Sequence, residues 1–131
     1  MAGFTDYLED KVLDHVFGGS AYSAPSTLYV GLFTAAPSDT GGGTEVSGGS
    51  YARKSMAAMT VSGTSPTTAT NGAAVEFVTA TGSWGTVTHV GVFDASTSGN
   101  LLGWAALTAS KAVASGDVFR FDAGDLDITL A

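Results

Sequence analysis

Cysteine is absent from this chain of 131 residues, which excludes a disulfide framework and a thiolate metal site. Basic side chains are nearly as scarce. Lys11, Arg53, Lys54, Lys111 and Arg120 stand alone against twelve acids, for a net charge of −7. Binding to DNA or RNA needs clustered bases to displace counterions from phosphates, and attachment to an anionic membrane surface needs the same charge. Five scattered cations supply neither, so nucleic acid and membrane are set aside as partners. No apolar stretch approaches the roughly 20 residues of a membrane span. The opening MAGFTDYLEDK carries neither the basic nor the apolar region of a secretory signal. Charged residues make up only 13% of the chain against 44% hydrophobic, about half the charge content of an ordinary soluble domain. Such a balance, with 18 glycines, suits a compact β protein or one that hides part of its surface in an assembly.

What is present is a series of short β-rich runs separated by turn residues. In the last third, Val87 with Val90, Val92 and Phe93 form one run, and Leu101 to Leu107 a second. Val118 to Phe121 form a third, and Leu126, Ile128 and Leu130 a fourth. The segments DASTSGN, SGD and DAGD between them supply residues that cap their own backbone or tolerate positive φ. Further upstream, Thr27 to Thr34 is apolar on both faces, with Leu28, Val30 and Leu32 alternating with Tyr29 and Phe33. That pattern predicts a strand buried on both sides and among the most buried of the chain. Gly31 interrupts its second face and leaves space for a close backbone or a large facing ring. Tyr51 to Val61 reads as a strand, and so does Ala74 to Thr79, where Glu76 argues that Val75 and Phe77 face inward. Residues 82–85 offer an eighth. Residues 35–50, with Pro37 and glycines 41, 42, 43, 48 and 49, read as the longest loop, and residues 62–72 as a Thr/Ser/Gly/Pro loop.

One helix is expected, over residues 5–17. Asp6 followed by Glu9 resembles a capping box, Phe4, Leu8, Val12 and Val16 recur at four-residue spacing with Leu13 and Phe17 beside them, and Gly18-Gly19 closes the end. The helix is expected to cover an open end of the sheets; the alternative is a docking helix seated on a neighbouring subunit. The fold class that follows is mainly β: a single antiparallel β-sandwich of about seven or eight strands with one N-terminal helix. It is read as one domain over residues 1–131, with 1–19 as helix and cap and 20–131 as sandwich.

No constellation of catalytic residues emerges. His89 lies within a strand pattern with Asp94 on the opposite face by parity, and His15 lies on the helix; neither has a second histidine at metal spacing. The serine-nucleophile pattern GxSxG is absent, and the glycines at 41–43 match neither nucleotide-binding fingerprint. Asp122, Asp125 and Asp127 around Gly124 form a carboxylate cluster that reads as a turn rather than as a calcium loop. No catalytic residue, cofactor or metal is assigned. Trp104, amid Leu101, Leu102 and Leu107, reads as core, whereas Trp84 between Ser83 and Gly85 reads as an exposed contact. Trp84, Tyr51, Arg53 and His89 are the expected contact residues.

Four blocks carry a family resemblance: TLYVGLFT from Thr27, EVSGGSYAR from Glu45 to Arg53, WGTVTHVGVFD from Trp84 to Asp94, and GDLDITL from Gly124 to Leu130. In this order they resemble small virion proteins of tailed bacteriophages, usually labelled tail-fibre proteins. The resemblance implies a non-enzymatic structural protein, an exterior accessory subunit of the tail-fibre or head-decoration type, made in the host cytoplasm and carried on the virion. The alternative is a receptor- or carbohydrate-binding tip module with host surface glycan as partner. Other phage structural proteins are the expected partners, together with further copies of the chain in a homo-oligomer, a trimer by analogy with phage fibres.

Overall fold

The computed structural model describes residues 4–130. Residues 1–3 of the expected N-terminal segment and Ala131 lie outside the described residues, as does the side chain of Leu130 from the fourth run. One helix, α1 (Asp6–Val16), precedes the strands β1 (Leu28–Ala35), β2 (Thr44–Glu45), β3 (Lys54–Met56), β4 (Thr60–Ser62) and β5 (Thr67–Thr70). Then follow β6 (Val75–Glu76), β7 (Gly85–Phe93), β8 (Leu101–Val113), β9 (Arg120–Phe121) and β10 (Asp127–Leu130). The mainly β, antiparallel fold with one helix is as the sequence predicts; the strands number ten among the described residues rather than seven or eight. The Tyr51–Val61 run divides into β3 and β4, the glycine-rich loop holds β2, and the Thr/Ser/Gly/Pro loop holds β5. Residues 82–85 form no strand of their own; β7 starts at Gly85.

The main sheet has β1 and β7 at its centre and β8 along one side. The other side of β1 is shared: β3 pairs with Leu28 to Val30, and β2 with Phe33 and Ala35. The opposing layer consists of the β6–β9 pair and the three-stranded sheet β10-β5-β4. Between the layers lies one cluster of buried side chains. Val30, Leu32, Val87, Val90, Val92 and Ala105 come from the main sheet, and Val75, Phe77, Phe119, Phe121 and Leu126 from the other side. Alternation explains the selection. In antiparallel strands, residues paired across the ladder share a face, and the pairs Val30 with Val92, Leu32 with Val90, and Val90 with Ala105 all point inward. Val30 and Leu32 retain no exposure, as expected of a strand buried on both sides.

The other face of the main sheet carries a second cluster: Phe33, Phe93 and Leu101, with Tyr29 and Trp104 packed against it. Gly31 and Gly91 are paired across the ladder, and Gly91 pairs in turn with Trp104. A Cβ on Gly31 would lie 2.8 Å from Phe93 Cε1, and one on Gly91 would lie 2.7 Å from Leu101 Cδ1 and 2.9 Å from Phe33 Cε1. The facing ring expected at Gly31 is therefore Phe93. The rings of Phe33 and Phe93 stack at 5.9 Å, in space that a side chain at either glycine would take.

The helix attaches at its start. Thr5, the N-cap, donates its hydroxyl to Leu101 O at 2.6 Å and its backbone N–H to Leu102 O at 2.9 Å. That hydroxyl makes no cap bond to the helix, so the Asp6–Glu9 capping box expected from the sequence is not the device that starts α1. Its start is fixed by β8 instead. The four-residue stripe is also split: Leu8 and Val12 are half-buried, while Val16 is exposed, and no residue of α1 is buried. As a cover for the sheets the helix is shallower than the sequence predicts.

Candidate functional site

Arg53 is the most heavily bonded polar side chain of the molecule. Its Nε and Nη2 donate to the two carboxylate oxygens of Glu45 at 2.9 and 2.8 Å. Its Nη1 donates to the carbonyls of Ala95 and Ser98 at 2.9 and 2.7 Å. The guanidinium carbon sits 3.4 Å from the centroid of the Phe93 ring. Only arginine offers this planar fork together with a face that stacks on an aromatic ring. The side chain is 9% exposed and ties the β2 edge to the β7–β8 turn.

Tyr51 completes the network from below. Its hydroxyl donates to Glu45 Oε2 at 2.7 Å and accepts the Leu32 backbone N–H at 2.9 Å. Its ring stacks on Phe77 and meets Trp84 edge to face. Burial pushes the Tyr51 phenol up from its usual value; the Leu32 N–H opposes the shift, and the Glu45 carboxylate adds to it. Tyr51 and Arg53 thus act together on Glu45, a partner that sequence reasoning did not assign to them.

Trp84 is a correction. Expected as an exposed contact, it is 4% exposed and donates its indole N–H to Gly49 O at 2.9 Å. Trp84 and Val87 stand three residues apart and would lie on opposite faces of a regular strand, yet both are buried. Gly85, at φ +80°, turns the backbone between them and directs the indole inward. Trp104 is the converse. Expected in the core, it is half-buried on the second face, because Ala105 takes the inward position opposite Val90. Its indole N–H donates to Asp39 Oδ1 at 3.1 Å, and its ring lies 5.9 Å from that of His89. His89 is half-buried, its Nδ1 2.7 Å from the Thr88 hydroxyl. His15 is exposed, its Nδ1 accepting the Tyr22 backbone N–H at 3.1 Å. The four expected contact residues divide: Trp84, Tyr51 and Arg53 meet around Glu45 and the core, while His89 stands apart beside Trp104.

A cleft of about 520 Å³ opens above the Arg53 network, between the start of α1, the 39–43 turn and the 99–101 turn. Asp6, Tyr7, Asp39 and Asn100 line its rim, and Phe33 and Phe93 its floor. Gly41, Gly42 and Gly43 all adopt positive φ and give the rim its shape; at Gly43 a Cβ would lie 2.7 Å from Pro37 N. The glycine run was the only legible signal for this cleft. Among the described residues, no three acids or histidines stand close enough to hold a metal ion. The three clustered aspartates diverge: Asp122 accepts from Arg120, Asp125 accepts the Asp122 N–H, and Asp127 accepts the Thr70 hydroxyl.

The strongest polar network of the β-sandwich thus fastens its own loops. The family model described as Podophage GP4 fiber I protein gp80 matches residues 3–129, and the chain belongs to that family. It is thus a fibre-type structural protein of a bacteriophage virion, with other phage structural proteins as its partners. No curated protein matches the chain.

Proposed function

We propose that this chain is a non-enzymatic exterior accessory subunit of a tailed-phage particle, of the tail-fibre or head-decoration type, folded as a single domain and made in the host cytoplasm. The observation that carries the reading is family membership along nearly the whole chain, residues 3–129. The spending of Arg53, Glu45 and Tyr51 on one another and on loop carbonyls supports it. A catalytic site needs a nucleophile or activated water beside a tuned acid or base, and these polar groups are already engaged in structure. The chain also self-associates, with a trimer as the expected form. Val61 on β4, and Val78 and Val118 in the segments beside β6 and β9, are 67%, 48% and 44% exposed, and exposed apolar side chains at sheet edges are usually covered by a neighbour. Locating the chain by cryo-electron microscopy of intact particles tests the placement, and sedimentation equilibrium tests the oligomer. Density inside the capsid or a monodisperse monomer would contradict the respective claims.

The cleft supports a second reading, a receptor-binding module for host surface glycan. Carboxylates at Asp6 and Asp39 and the Asn100 amide stand over aromatic residues, a combination that suits sugar hydroxyls and ring faces. With Arg53 locked below, the rim offers acids rather than bases, so neutral or amino sugars are favoured over acidic ones. His89 beside Trp104 extends the same face. Glycan capture that is lost on Asp39→Asn and kept on Lys54→Ala would establish this reading; release of soluble fragments from host cell wall would overturn the non-enzymatic one.

A further inference from the structure

The helix α1 and its C-cap Phe17 present two faces. At 3.6 residues per turn, Asp6, Glu9, Asp10, Leu13, Val16 and Phe17 fall on one side, with Asp14 at its flank. All seven are exposed, Leu13, Val16 and Phe17 at 59%, 60% and 83%. Tyr7, Leu8, Lys11 and Val12 fall on the other side and are half-buried, and His15, on the same side in the last turn, is exposed. The helix's sole lysine therefore faces inward, its Nζ 5.7 Å from the Tyr7 ring centroid. The outward face is a triad of large apolar side chains ringed by carboxylates, with no cation of its own. Acids in the first turn have a local use, since Asp6 and Glu9 sit at the positive end of the helix dipole. Asp10 and Asp14 do not: Asp14 stands in the last turn, where the dipole disfavours a negative charge.

We propose that this face docks into an apolar groove with a basic rim on a different subunit of the particle. The spacing of Leu13, Val16 and Phe17 is that of the i, i+3, i+4 anchors by which a helix seats in a groove. The charge fixes the occupant. A second copy would oppose four like-charged acids to four more. Nor can this chain offer a basic rim elsewhere, because Arg53 is engaged with Glu45 and Arg120 pairs with Glu76 and Asp122. Three lysines remain, one of them on the inward side of α1 itself. An anionic membrane is excluded by the same charge.

The inference rests on the virion reading, and the test separates the two. The full-length chain is supplied in trans to phage lacking its gene, as wild type, as Leu13→Ser/Val16→Ser/Phe17→Ser, and as Asp10→Lys/Asp14→Lys. Copies per purified particle are then counted by quantitative mass spectrometry. Both variants should melt as the wild type does, and each should incorporate about tenfold less, the effect of losing interface anchors or their charge complement. The charge variant reads the same surface without touching an apolar side chain. Wild-type copy number for both variants would overturn the docking. So would a serine variant that changes the sedimentation of the purified chain, because the occupant would then be a second copy. Wild-type chain absent from particles would instead overturn the virion reading itself.

Discussion

At the scale of single residues, the structure concentrates its risk around Glu45. Arg53 is 9% exposed and Glu45 24%, so either charge regains only part of its hydration if the other is lost. Removing one partner of a buried pair costs about 3–5 kcal/mol; Arg53→Ala should lose stability toward the lower end of that range in urea denaturation. Arg53→Lys should recover little, since an ammonium cannot reach two carboxylate oxygens and two carbonyls at once. Tyr51 adds a pH dependence. Its folded-state value is raised, so above the ordinary tyrosine value of 10.0 the unfolded chain loses a proton that the folded chain keeps. Stability is therefore fully present below pH 10 and falls above it, by about 1.4 kcal/mol per pH unit while the unfolded phenol alone ionises. Tyr51→Phe should remove that extra alkaline slope, as read from denaturation midpoints between pH 9 and pH 11. The two glycines under the aromatic stack make a third case. Gly91→Ala forces Leu101 and Phe33 to move and should cost about 1–3 kcal/mol by overpacking.

At the scale of elements, alternation decided what could be read. β1 carries apolar side chains at every second position on both faces, and its two sets were legible residue by residue; β7 and the first half of β8 were legible as apolar runs, not face by face. Val75 and Phe77 were legible too, because Glu76 between them cannot face the core. β5 was not. Thr67–Thr70 is polar, and its place comes from pairing with β4 on one side and β10 on the other. Its only sequence signal is the strand preference of β-branched threonine, outweighed by the neighbouring Pro, Gly and Ser. The polar second half of β8 was lost in the same way. Trp84 was misplaced because one positive-φ glycine, Gly85, resets the parity of the chain ahead of β7, and Trp104 because the register sets Ala105, not Trp104, opposite Val90. The Arg53–Glu45 pair was invisible in principle: the two residues are eight apart, in a stretch with no periodicity. For the helix, the buried Thr5 and the exposed triad make opposite predictions. Thr5→Val loses the hydroxyl bonds to Leu101 and Leu102 and should cost about 1–3 kcal/mol, since the Leu101 carbonyl loses this donor while Leu102 keeps only the Thr5 backbone N–H. The serine triple at Leu13, Val16 and Phe17 should shift thermal unfolding by no more than about 0.5 kcal/mol, as for other exposed positions.

At the scale of the whole molecule, a small core is stapled by one polar network, the glycine-rich turns are set around a cleft, and an apolar helix end is left uncovered. Such a distribution suits a subunit whose work is to be held in place and to hold. The most direct test of this account is a cryo-electron microscopy reconstruction of the intact particle at a resolution that traces side chains. The account predicts this fold on the outer surface, repeated by symmetry, with Leu13, Val16 and Phe17 seated against another protein. A chain found only inside the capsid, or absent from purified particles, would contradict it.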